Sequence, residues 1–151
     1  MMNRIARRQA RRRGFTLIEL VVVMMIIAIL AGAIAVNIRN RVDLAKRARA
    51  LSDVKTLELA IDLYAIDNGD PPTTQQGIDA LQHRPSTAPV PRNWNGPYLK
   101  KNVRKDPWDN DYVYRSPGQL NPDGYDIICY GKDGQPGGAD LDADITNASE
   151  E

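Results

Sequence analysis

The 151 residues carry 20 Lys and Arg against 19 Asp and Glu, a formal net charge of +1, with one histidine and one cysteine. A lone cysteine excludes an internal disulfide. The chain holds neither a phosphate-binding loop nor a nucleophile elbow, so nothing in it supports an enzyme. The length suits one modest domain plus a long helix.

The small net charge hides an asymmetry. Met1–Gly14 holds six arginines and no acid, so its removal turns +1 into −5. Such a tract stays on the cytoplasmic side of a membrane. Six arginines also suit nucleic acid, but the apolar run that follows argues against that partner. From Phe15 to Val36 there are 22 residues, and Glu19 is the only charged one. A hydrocarbon core about 30 Å thick needs about 20 apolar residues in a helix, so this run is long enough to span. A carboxylate in lipid is costly and rarely idle.

Three readings of this run stand side by side. The first is a cleaved secretory signal, with Ala31-Gly32-Ala33 as the small-residue site, although signal cores are usually about 7–15 residues. The second is an uncleaved signal anchor with Glu19 near the headgroups. The third is a resemblance. Gly14-Phe15-Thr16-Leu17-Ile18-Glu19 resembles the processing site of the type IV pilin and pseudopilin superfamily. That resemblance implies that a prepilin peptidase cuts after Gly14 and methylates the new terminus at Phe15. It also implies that Glu19 meets the Phe15 amine of a neighbouring subunit. Two charges that are each expensive in an apolar bundle become tolerable as a pair.

Asn37 to Asp67 contains no Gly or Pro. Leu44, Ala48, Leu51, Val54, Leu57, Ile61 and Tyr64 recur at helical spacing and predict one core-facing stripe. Asn68-Gly69 and Pro71-Pro72 then stop the helix. A helix over 15–67 is about 80 Å long, too long to be buried in the globular part that follows. Its first half, 15–36, is the expected transmembrane and assembly segment.

All ten prolines lie beyond Gly69, which excludes long helices there. Thr73–Leu81 predicts one short helix with a Thr N-cap. Asp111–Arg115 and Tyr125–Tyr130 predict two strands, with a turn at Asn121–Gly124 between them. The expected fold is therefore α+β: a long N-terminal helix on a small antiparallel sheet over 68–151. Cys129, in a predicted strand, is read as a buried small hydrophobe, and His83 as a solvated loop residue.

Asp133, Asp140, Asp142 and Asp144 fall on a stretch that also holds Gly131, Gly134, Gly137 and Gly138. Oxygen-only side chains on a Gly-rich loop suit Ca²⁺, and without His or Cys they do not suit zinc. From spacing alone, metal binding and a solvated acidic turn remain equally open.

Longer motifs narrow the resemblance. Pro72–Leu81, Asn95-Gly96-Pro97-Tyr98-Leu99-Lys100-Lys101, Asp106-Pro107-Trp108-Asp109-Asn110, Tyr114–Gly118 and Tyr130–Gly138 resemble the major pseudopilin family of type II secretion systems. The resemblance implies a pilin-like fold and a non-enzymatic, structural role. The implied protein is a homopolymeric filament subunit that drives export of folded proteins across the outer membrane. Its implied partners are minor pseudopilins, the prepilin peptidase and an inner-membrane assembly platform. Its implied place is the bacterial inner membrane, single-pass, with the C-terminal part periplasmic. A type IV pilin for adhesion, motility or DNA uptake is the alternative. The resemblance also implies one bound Ca²⁺, with the Tyr130 carbonyl and Asp133 as ligands, Asp140 next, then Asp142 and Asp144. Two departures stand out: no proline near Val36-Asn37, where a straighter helix is therefore expected, and no Trp after Asp144-Ile145-Thr146-Asn147.

Overall fold

The structure, a computed structural model, describes residues 14–148, and for 33–40 the backbone alone. The basic leader before Gly14 lies outside the described residues. So do the side chains near Val36-Asn37, on which the expectation of a straighter helix fell. The element order is α1 (Leu17–Asn68), a 3-10 helix (Ile78–Leu81), β1 (Val113–Arg115), β2 (Asp126–Cys129) and β3 (Ile145–Thr146).

Two compact units divide the chain, one up to Asn40 and one from Arg41. In the first, every α1 side chain from Leu17 to Gly32 is exposed. Phe15 and Leu17 are 84% and 83% exposed, so this apolar surface has no cover of its own. Among the described residues no helix is long and apolar enough to cross a membrane.

In the second unit the sheet has the order β1-β2-β3, antiparallel throughout. Val113 pairs with Ile128 and Arg115 with Asp126; Cys129 pairs with Ile145. β2 is the centre strand, and all four of its residues are buried. Alternation along a strand sends Ile127 and Cys129 to one face and Asp126 and Ile128 to the other. Ile127, Cys129 and Ile145 join Tyr112, Tyr114, Leu81 and Leu99 against Ala50, Val54, Leu57, Ile61 and Tyr64 of α1.

From Val54 through Leu57 and Ile61 to Tyr64 the covered face of α1 is the predicted one, but before Val54 it is not. Leu44, Ala48 and Leu51 are exposed, and Ala50 is fully buried in their place. α1 carries two apolar stripes, and spacing alone does not say which one the sheet covers. The other stripe, with Leu44, Leu51, Leu59 and Ile66, faces outward. The predicted helix over Thr73–Leu81 is also corrected. Thr73 Oγ1 accepts from Gln76 N at 3.3 Å and Gln76 Oε1 accepts from Thr73 N at 3.0 Å, a capping box around one turn. Gly77, at φ 61°, then breaks the turn, and a 3-10 helix follows with no side-chain cap.

β3 was not anticipated. Asn147 extends its pairing beyond Thr146: its Oδ1 accepts from Ile127 N at 2.8 Å, and its Nδ2 donates to the Tyr125 carbonyl at 3.0 Å. Asp126 is fully buried and is held by the β1–β2 connection. Gln119, Leu120 and Asn121 donate backbone N–H to its carboxylate at 2.6, 2.9 and 3.0 Å. Burial alone would push this carboxyl up, but the three amides and Arg115 outweigh it and hold it below the usual range.

The buried face makes a direct test. Leu57→Ala lowers unfolding stability by about 2–5 kcal/mol, as cavity-forming core substitutions do. Leu51→Ala changes it by no more than about 0.5 kcal/mol, as at an open surface position. Denaturant titration of the full-length chain in detergent measures both. Equal losses would put the covered face back on the Leu44–Ala48–Leu51 stripe.

Candidate functional site

Two regions hold the residues singled out from sequence. The first is the head of α1. Glu19 Oε2 accepts from Thr16 N at 3.1 Å and from Thr16 Oγ1 at 3.2 Å, and Glu19 N donates back to Thr16 Oγ1 at 3.2 Å. This is a capping box, Thr-x-x-Glu, directly before an apolar run. It satisfies backbone donors that the first turn leaves without helical partners. An acid in the first turn also complements the positive end of the helix dipole. The signature of the capping box in the sequence is Thr16-Leu17-Ile18-Glu19. Glu19 is therefore already oriented within its own chain, one turn from Phe15. Gly14 and Phe15 precede the helix and are exposed.

The second region is the acidic loop after β2. Lys132 N donates to the Leu141 carbonyl at 3.1 Å and Asp142 N to the Ala139 carbonyl at 3.0 Å, so the loop folds back on itself. Two glycines permit that closure. A Cβ on Gly131 would lie 2.6 Å from the Asp142 carbonyl oxygen, and one on Gly138 2.5 Å from it; both residues have positive φ. Asp133 Oδ1 accepts from Gln135 N, and Asp144 Oδ2 from Gly137 N, each at 3.0 Å. Asp144 Oδ1 is buried with no hydrogen-bond partner.

An open cavity of about 440 Å³ is lined by Lys132, Asp133, Ala139, Asp140, Leu141 and Asp142. The structure thus brings Asp133, Asp140 and Asp142 to one cavity. Asp144 and Tyr130 lie outside its lining. Among the described residues no three His, Cys, Asp or Glu side chains are gathered closely enough to hold a metal ion.

The other singled-out residues are structural. Cys129 is fully buried, and its Sγ donates to Asp106 Oδ2 at 3.3 Å. Burial pushes its thiol up to about 12, and the Asp106 carboxylate adds to the shift, so it stays a thiol at neutral pH. Asp106 Oδ1 in turn accepts from Trp108 N and Asn110 N, both at 2.9 Å, and so sets the Asp-Pro-Trp-Asp-Asn turn. His83 is exposed, 3.5 Å from Asp79 on the 3-10 helix.

A long helix that opens on a capping box beneath an uncovered apolar run, and ends against a small antiparallel sheet, defines a pilin-like subunit. Residues 37–148 match the family model described as Type II secretion system (T2SS), protein G, and residues 9–35 match the prokaryotic N-terminal methylation motif. The chain belongs to the protein G family of type II secretion systems. It is 44% identical to the core protein G of Pseudomonas aeruginosa over 91% of this chain and 95% of that one. It is 42% identical to that of Vibrio cholerae over 93% of this chain and 94% of that one. It is also similar to the crystal structure of the major pseudopilin from the type 2 secretion system of enterohaemorrhagic Escherichia coli. There the TM-score is 0.61 at 36% identity, covering 76% of this chain and 96% of that chain.

Proposed function

We propose that this chain polymerises through α1 into a periplasmic pseudopilus, after cleavage at Gly14-Phe15 by a prepilin peptidase. Membership of the protein G family makes it a structural subunit of type II secretion. The type IV pilin alternative is not favoured, because the family match covers the globular part as well as the head of the helix. The protein acts by assembly and not by catalysis, with minor pseudopilins and an inner-membrane platform as partners.

The observation that carries this reading is the uncovered apolar surface from Leu17 onward, with Glu19 at its head. Before assembly, the run 15–36 anchors the chain in the inner membrane, and its last residues, 33–36, lie among those described by backbone alone. In the filament, neighbouring helices take the place of lipid, and the outward stripe with Leu44, Leu51, Leu59 and Ile66 adds surface for them. Apolar packing alone leaves helices free to slide. Glu19, pre-set by Thr16, meets the Phe15 amine of the next subunit and fixes the register.

Mass spectrometry of the mature protein then finds N-methyl-Phe15 at its start; a start at Ile34 would instead support a secretory signal. Glu19→Ala is still cleaved. It loses filaments by well over tenfold, since breaking a buried pair costs about 3–5 kcal/mol. Filaments at wild-type yield from Glu19→Ala would refute the pairing.

The acidic loop is read as a Ca²⁺ site. Ca²⁺ takes side-chain, backbone and water oxygens together, and so does not require three acids in one cluster. The orphaned Asp144 Oδ1 and the glycine-shaped closure around the Asp142 carbonyl support that fit. Asp133 and Asp140 would hold the ion with the Tyr130 carbonyl, and Asp142 and Asp144 complete the donor set. Bound Ca²⁺ supplies the positive charge that cancels carboxylate repulsion and ties the C-terminal segment to the sheet.

Binding to the folded state alone adds about 2.7 kcal/mol at a hundredfold excess over Kd. The full-length chain in detergent therefore melts higher in millimolar Ca²⁺ than in chelator, and Mg²⁺ substitutes poorly. Asp133→Ala and Asp140→Ala each remove most of the gain, while Asp123→Ala keeps it. Identical melting with and without Ca²⁺ would leave the loop a solvated acidic turn.

A further inference from the structure

α1 reaches the acidic loop with two charged side chains. Arg47 donates from Nη1 to the Ala143 carbonyl at 2.8 Å, between Asp142 and Asp144 in the chain. One turn earlier, Asp43 Oδ2 lies 2.7 Å from Lys132 Nζ. Lys132 lines the same cavity as Asp133, Asp140 and Asp142, and among the lining residues it is the one cation.

The two partners are not equally held. The Asp43 side chain is 19% exposed and that of Lys132 47%. A lysine ammonium sits on a flexible four-carbon stem with three rotatable donors. Released from α1, it has loop carboxylates within its own cavity to turn to. A cation already among carboxylates competes with any other for the same negative charge. An ion pair this exposed adds little to folding stability, so its effect belongs to binding.

We propose that Asp43 is a positioning residue for cation binding. By holding the Lys132 ammonium on α1, it keeps the chain's own lysine from neutralising the loop and leaves the carboxylates to a divalent cation. The proposal rests on the Ca²⁺ reading of the loop. Arg47 serves the same geometry, fixing the Ala143 backbone while Asp43 fixes the charge.

Calorimetric titration of the full-length protein in detergent with Ca²⁺ alone, at low salt, tests it. Asp43→Asn binds Ca²⁺ about three- to tenfold more weakly, the range expected from one uncompensated nearby charge. Asp43→Glu keeps most of the affinity. The double variant Asp43→Asn with Lys132→Met returns to wild-type affinity or better, which a merely structural role for Asp43 does not predict. The defect shrinks at about 1 M salt, where the Debye length is about 3 Å. Unchanged affinity in Asp43→Asn, or a loss that Lys132→Met fails to repair, overturns the proposal while the calcium reading survives. A wild-type protein that takes up no Ca²⁺ overturns both.

Discussion

Between Ala50 and Tyr64, α1 gives one face to a sheet of very short strands, and three phenols fasten the join. Tyr112 donates to Asp53 Oδ2 at 3.2 Å, Tyr125 to Asp62 Oδ1 at 2.7 Å, and Tyr98 to Asp67 Oδ2 at 2.8 Å. At about 100° per residue, Asp53 and Asp67 flank the buried face on one side and Asp62 on the other. The helix is thus held from both flanks while its middle is packed by Leu57 and Ile61. Each clamp joins a neutral donor to a charged acceptor, the stronger kind of hydrogen bond. Asp53 and Asp67 are half-buried and Asp62 is exposed, so the clamps sit at the edge of the core.

That constraint sets what is left for function. Within the second unit the sheet covers α1 from Ala50 onward; in the first, the apolar residues from Leu17 to Leu30 are exposed. Just before Ala50 the half-buried residues Asp43, Lys46 and Arg47 are polar, and there Asp43 and Arg47 meet the acidic loop. One helix therefore carries three tasks in order along its length: a capped, charged head, a tether for the loop, and a wall of the core. A subunit built this way folds its own second unit and leaves its first for other molecules.

Much of this was legible from residue types. The absence of Gly and Pro from Asn37 to Asp67 marked the helix, and Gly14–Glu19 marked its head. Turn residues on either side of Val113–Arg115 and Asp126–Cys129 marked those strands. β3 was not legible, because two residues carry no period, and Ile145 becomes a strand only by pairing with Cys129. The exposure of Leu44 and Leu51 was hidden for a different reason: two apolar stripes share α1, and burial depends on a sheet distant in sequence. The burial of Asp126 was not legible, because its partners are three backbone amides, which leave no mark in the sequence. The acidic loop was legible as composition, while its tether to Asp43 spans 89 residues and was not.

Alkaline unfolding tests the clamps most directly. Burial raises the Tyr112 and Tyr125 phenols above their ordinary value of 10.0, and Asp53 and Asp62 add to the shift. A raised folded pKa gives stability that is complete below the unfolded value and is lost as pH rises toward the folded one. The unfolding free energy of the full-length chain, followed from pH 8 to 12, therefore falls beyond about pH 10. Replacing both residues with Phe lowers stability at pH 8 and makes the alkaline fall shallower by about two protons. Parallel curves for the two proteins would show that the phenols do not hold the sheet to α1.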